Sequence, residues 1–205
     1  MIEAISYRRL LEGLINKHGN DSIVTVGLLI GNANCDFMKN NILSKINQFH
    51  HRSNHNIDFY FPGYGAYWYG CFGQEETVCN VDGVKWLYSD ALYCKFIDDL
   101  ESQSRWRYSG ETELILINFK NGEFDFSEML VFWLDKMVND QVIYSPSNFF
   151  ETVFRLFKDK KTVYNASDLL ALNGVASSIF EIIKQKTPFS EVLNNKWYCI
   201  KNYSL

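Results

Sequence analysis

The chain has few prolines, no long apolar run and no excess of positive charge, and each shortage removes a class of protein. Only three prolines occur in 205 residues, Pro62, Pro146 and Pro188, and no segment is depleted of apolar residues. Extended disorder is therefore not expected. No stretch approaches the ~18 consecutive apolar residues that span a bilayer. Met1-Ile2-Glu3-Ala4 carries an early acid and lacks the basic-then-apolar order of a secretory leader. The formal charge is −4, whereas nucleic-acid-binding domains show a basic face, so neither a membrane nor a nucleic acid is an expected partner. The five cysteines (Cys35, Cys71, Cys79, Cys94 and Cys199) are odd in number and scattered. That suits reduced thiols in a cytoplasmic protein better than a disulfide framework.

Aromatic residues, by contrast, reach 16%. They concentrate in Phe59–Gly73, where eight rings and four glycines share fifteen residues. Rings supply apolar area and flat faces, and glycines let the backbone turn sharply. The pairing suits a binding loop or a protein interface, with Tyr64, Tyr67, Trp68 and Tyr69 as its candidate contacts.

Periodicity then orders the chain. Tyr7, Leu10, Leu11, Leu14 and Ile15 predict an amphipathic helix over 3–18. Ile23–Ile30 is an apolar, β-branched run, read as a strand buried on both faces of a parallel or mixed sheet. Gly31-Asn32-Ala33-Asn34 turns the chain into a helix from Cys35 to about Phe49. The polar run 50–56, with His50, His51 and His55, reads as a loop, and Ile57–Phe61 as a second strand, completing a strand–helix–strand unit. Residues 74–88 read as irregular, with a short strand near Val84–Leu87. Ser89 is a good N-cap for the next helix. Glu113–Phe119 is the clearest strand. Asn121-Gly122 predicts a type I′ hairpin turn, Glu123–Phe126 pairs back, and Ser127 caps a helix to Val138. Beyond Ser145-Pro146, a cap followed by proline at the first helical position, the pattern is helical, with further helices from Asn165 past Gly174 and from Thr187-Pro188. Lys196–Ile200 reads as an edge strand. The expected architecture is an α/β core over 1–144, a mixed sheet of four to five strands flanked by helices, with a helical extension over 145–205.

The order Glu113–Phe119, Lys120-Asn121-Gly122, Glu123–Phe126 and a closing helix resembles the second half of the thioredoxin-like fold. Ile23–Ile30, the cysteine opening the next helix and Ile57–Phe61 resemble its first half. The resemblance implies a thioredoxin-like strand order over roughly 20–140, with 62–112 a sizeable insertion relative to the minimal fold. Two departures matter. Cys35 is followed by Asp36-Phe37-Met38, so the family's Cys-x-x-Cys is absent, and no proline lies between Pro62 and Pro146 to supply its cis-proline. The fold is implied; dithiol exchange is not.

Three chemistries compete for the candidate site. Cys35 at a helix N-terminus would have its thiolate favoured by unpaired N–H groups and the helix dipole, which makes it the one catalytic candidate. Gly31, Asn32 and Asn34 follow a buried strand and open a helix, the setting of an anion or nucleotide site, although the turn matches no phosphate-binding motif. Arg105-Trp106-Arg107-Tyr108 interleaves base and ring, so Arg105 and Trp106 are candidates for stacking and phosphate contact. The histidines with Cys71 and Cys79 lack zinc-ligand spacing, and neither metal nor cofactor is expected. With no dithiol motif, the expected function is a non-catalytic module that binds a protein partner, or itself, through 59–73; the alternatives are a Cys35-dependent thiol enzyme and an anion-binding domain.

Overall fold

The computed structural model describes residues 2–4, 6–53, 57–72, 75–160, 178, 179, 181 and 196–205. Its organising element is β2, Ile23–Ile30, buried from Val26 onward. It pairs in parallel with β3 (Asp58–Pro62) and antiparallel with β7 (Glu113–Lys120), so the sheet is mixed, as its apolar run predicts. β8 (Glu123–Trp133) returns beside β7 across Asn121-Gly122, both at positive φ. β1 (Ile2–Ala4) joins the outside of β3 in parallel. These five strands are extended by β9 (Tyr198–Lys201), which pairs antiparallel with β8 as an edge strand. The order is β1-β3-β2-β7-β8-β9.

Positions 113–119 of β7 are all buried, which requires cover on both sheet faces. Helix α1 (Tyr7–His18), capped by Ser6, sets Tyr7 edge-on against Phe96 of α3 (Asp90–Gln103) and Phe124 of β8. Helices α2 (Ile46–Ser53) and α5 (Pro146–Lys160) supply a second aromatic layer. There Phe150 lies 4.8 Å from Phe49 and 5.7 Å from Phe59 between ring centroids, and Phe149 lies 5.0 Å from Phe132. A Cβ at residue 27 would sit 3.0 Å from the Phe59 ring, so Gly27 leaves room for that ring.

The structure corrects the sequence reading at five places. Glu3 and Ala4, which the expected helix over 3–18 included, lie in strand β1, and the helix starts at Tyr7. Residues 127–133 are strand, and the helix that follows, α4, covers only Leu134–Asn139. The pairing jumps from Asn118↔Asp125 to Ile117↔Met129, so 126–128 bulge out of the ladder before it resumes. Ser127 caps no helix; its N–H and hydroxyl both donate to the Asp125 carboxylate. Residues 76–88 form a hairpin, β5 (Glu76–Val81) and β6 (Val84–Tyr88), turned by Asp82 and Gly83 at φ 50° and 81° and bulged at Val78. With β4 (Tyr64–Ala66) it makes a separate sheet, ordered β4-β6-β5. The helix after Cys35 is irregular, with a π-helical turn at Met38–Ile42 and a 3₁₀ turn at Leu43–Lys45 before α2. Asn40 and Asn41 are weak helix formers, and Ser44 Oγ donates back to the Asn40 carbonyl at 2.7 Å, a bond that bends helices. Finally, α2 runs to Ser53, so His50 and His51 are helical. Of the helix expected from Asn165 past Gly174, only 178, 179 and 181 are among the described residues, and they are helical; the helix expected from Thr187 lies outside the described residues. No helix among the described residues is long and apolar enough to cross a membrane.

Candidate functional site

The aromatic stretch divides into a buried and a presented half. Phe59, Tyr60 and Phe61 belong to β3 and the core. Gly63, at φ +82°, then carries the chain from one sheet to the other: its N–H donates to the Ala4 carbonyl and its carbonyl accepts from Ser89 N–H. A Cβ there would lie 2.6 Å from the Tyr93 Cβ, so only glycine fits. Tyr64 is fully buried and donates to the Gly31 carbonyl at 2.8 Å. Trp68 is buried with its ring edge-on to Phe72 at 5.6 Å. Tyr64 and Trp68 therefore hold the loop rather than present a surface.

What the loop presents is Tyr67, 82% exposed, Tyr69, 60% exposed, and the flank of Phe72. Tyr67 sits at φ 64°, a left-handed conformation that costs a residue with a Cβ ~1–2 kcal/mol. The tip is pinned around it. Cys71 N–H donates to the Trp68 carbonyl at 2.8 Å, and the Tyr69 hydroxyl meets Thr77 Oγ1 at 3.1 Å. The Glu75 carboxylate accepts from the N–H groups of Phe72 at 2.7 Å and Gly70 at 3.3 Å. The Phe72 bond is the main reason the Glu75 carboxyl titrates below its ordinary value. Phe72 and Glu75 are parts of this tip that the sequence reading did not single out. Phe72 was only one ring among eight, and no local rule marks Glu75.

The Gly31–Cys35 turn joins this region through Tyr64. Gly31 is packed so closely that a Cβ would lie 2.5 Å from Met38 Sδ. Asn32 is the knot of the turn: Oδ1 accepts from Asn34 N–H at 2.8 Å, its carbonyl accepts from Cys35 N–H at 3.0 Å, and Nδ2 donates to Asp90 at 3.0 Å. Two N–H groups that an anion would need are already used, and the nearest partner is a carboxylate. Cys35 is exposed, and its carbonyl accepts the Lys39 N–H.

Arg105 and Trp106 lie elsewhere in role. Trp106 is buried and its Nε1–H donates to Glu113 at 3.1 Å. Glu113 is itself buried; burial pushes its carboxyl up, against the opposing hydrogen bonds from Ser109 and Trp106. Arg105 N–H donates to the Tyr203 carbonyl. This segment closes α3 against the sheet, and Trp106 has no free face for a base. His50 and His51 approach the Asp82 carboxylate at 3.8 and 2.7 Å; among the described residues no group of three or more His, Cys, Asp or Glu side chains could hold a metal. All five cysteines are free thiols.

Comparison of the chain with protein-family models, curated proteins and solved structures finds no match in any of the three.

Proposed function

We propose that this protein is a non-catalytic interaction module, built on a thioredoxin-like core, that contacts a protein partner or a second copy of itself through the Tyr67–Phe72 tip. The core reading is supported by the order β1-β3-β2-β7-β8, with β3 parallel and β7 antiparallel to β2 and a helical segment opening at Cys35. Position 38 is Met38, and Thr112 precedes β7, so this core has neither the second thiol nor the proline of dithiol exchange. Five free thiols suit a reducing compartment, and we place the protein in the cytoplasm on that ground.

The observation that carries the reading is Tyr67 itself. A tyrosine held in a left-handed conformation, exposed, on a tip pinned from below is a strained residue that the surrounding structure over-determines. A preordered tip loses less entropy on binding, and tyrosine is enriched among the residues that dominate interface energies. The test is native size-exclusion of extracts from cells that normally make the protein. Wild type should elute well above monomer size and Tyr67→Ser/Tyr69→Ser as monomer, with an unchanged melting temperature for the purified variant. Wild type eluting as monomer removes the reading.

A second reading rests on Cys35, exposed at the start of a helical segment. A thiol enzyme would require Cys35 to alkylate much faster at neutral pH than exposed Cys71 and Cys94; equal rates for the three would dispose of it.

A further inference from the structure

Charge is not spread evenly along the chain. Residues 53–84 hold no lysine or arginine but four acids, Asp58, Glu75, Glu76 and Asp82, which together equal the whole formal charge of −4. The chain outside this segment is formally neutral. Asp58 is answered by Lys17 and His18, and Asp82 by His51. Among the described residues neither Glu75 nor Glu76 makes an ion pair. Both stand at the base of the Tyr67–Phe72 tip. Glu76 is exposed and opens β5 at the end paired with Tyr88. Lys85, the one lysine or arginine of the hairpin, pairs with Asn80 toward the opposite end.

Glu75 keeps room for a ligand although it braces the tip. Its two oxygens accept one N–H each, from Phe72 and Gly70, whereas an ionised carboxylate offers about four acceptor positions. Those bonds hold it below its ordinary value, so it is charged at neutral pH. Beside these carboxylates Tyr67 and Tyr69 present their rings to solvent. A ring face carries partial negative charge and attracts a cation. Open ring faces next to two carboxylates are complementary to guanidinium, a planar cation that stacks on rings and donates in a fork. They are not complementary to themselves. A two-fold contact sets the same patch on both subunits, and tip against tip would face Glu75 and Glu76 with their own copies.

We propose that the tip receives a protein surface that presents arginine, stacked on Tyr67 and Tyr69 and paired with Glu75 and Glu76, rather than the tip of a second copy. This rests on the reading of Tyr67–Phe72 as the contact surface and narrows it to one kind of partner.

The probe is a capped pentapeptide with two arginines spaced by glycine, titrated into the intact isotope-labelled protein while the Gly70 and Phe72 amide resonances are followed. Their shifts should saturate at millimolar peptide, the range expected of a few exposed contacts. The lysine counterpart should bind about twofold to fivefold more weakly, because an ammonium has no planar fork, and the glutamine counterpart should not bind. Glu76→Gln, an exposed substitution with little effect on folding, and Tyr67→Ser should each weaken arginine binding about twofold to fivefold, the scale of one exposed charge or cation–π contact. Purified wild type should remain monomeric. The proposal is overturned if the arginine peptide gives no saturable shift at millimolar concentration, if the lysine or glutamine counterpart binds equally, or if Glu76→Gln binds as wild type does. A purified wild type that dimerises, and loses the dimer in Tyr67→Ser/Tyr69→Ser, overturns it while upholding the tip as a contact surface. Wild type that elutes from extracts as monomer removes that underlying reading instead.

Discussion

Tyr67 and Asp58 show how single side chains divide between presentation and support. Tyr67 is held where a Cβ is unfavourable and touches little, so its conformation serves the tip rather than the core. Tyr67→Gly relieves the strain, while the added freedom of glycine in the unfolded chain takes part of the gain back. We expect stability in urea to rise by up to ~1 kcal/mol, with Tyr67→Ala showing no such gain; a clear loss in the glycine variant would refute the strain. Asp58 is the supporting case. Burial opposes its charge, but hydrogen bonds from Lys17 and from His18, the latter at 2.7 Å, outweigh it and hold the carboxyl below its ordinary value. A lowered carboxyl contributes stability that is fully present above the unfolded value of ~4 and fades as pH falls through the folded value. Asp58→Asn should therefore cost ~1–3 kcal/mol at neutral pH, and the gap to wild type should close in acid. A gap that widens toward low pH would reverse the sign.

Among the elements, the hairpins and the two sheets depend on glycines that differ in kind. Gly83 stands at φ +81° with open space around it, whereas Gly63 stands at φ +82° against the Tyr93 backbone. Gly83→Ala should cost ~1–2 kcal/mol, the backbone term alone. Gly63→Ala should cost more than ~3 kcal/mol, because overpacking adds to it, and paired denaturation curves would show the difference. Sequence patterns captured the elements whose signals are local: the apolar run of β2, the Asn121-Gly122 turn and the Ser89 cap. They failed where tertiary pairing decides. Leu130, Trp133, Leu134 and Met137 fit a helical stripe, yet Met129–Phe132 pair with β7 and β9, and the bulge at 126–128 resets the register without a local signal. Asp82-Gly83 is a local hairpin signal of the same kind as Asn121-Gly122. Of the candidate site, the ring-rich stretch was visible, but its division was not: Tyr64 is committed by the distant Gly31 carbonyl, and Trp106 by Glu113.

For the whole molecule, the C-terminal segment shields an edge. β9 covers β8 along Met129–Phe132, and Tyr203 reaches both Arg105 and Phe126 through backbone hydrogen bonds. Deleting 196–205 would expose an apolar strand edge, and light scattering should show aggregation that wild type lacks; an equally soluble truncation would mean that β9 is dispensable. The sheet thus has one edge closed by β9, while the small β4-β6-β5 sheet adjoins the tip that projects Tyr67 and Tyr69. The packed core holds out a strained aromatic tip. That arrangement is tested most directly by a photo-crosslinking phenylalanine analogue at position 67, irradiated in cells that normally make the protein, with the same analogue at exposed Lys120 as control. One discrete adduct is expected from position 67, of dimer mass or with a single partner, and it is lost when Tyr69 becomes serine. No adduct beyond the position 120 control, or an adduct indifferent to Tyr69→Ser, would contradict it.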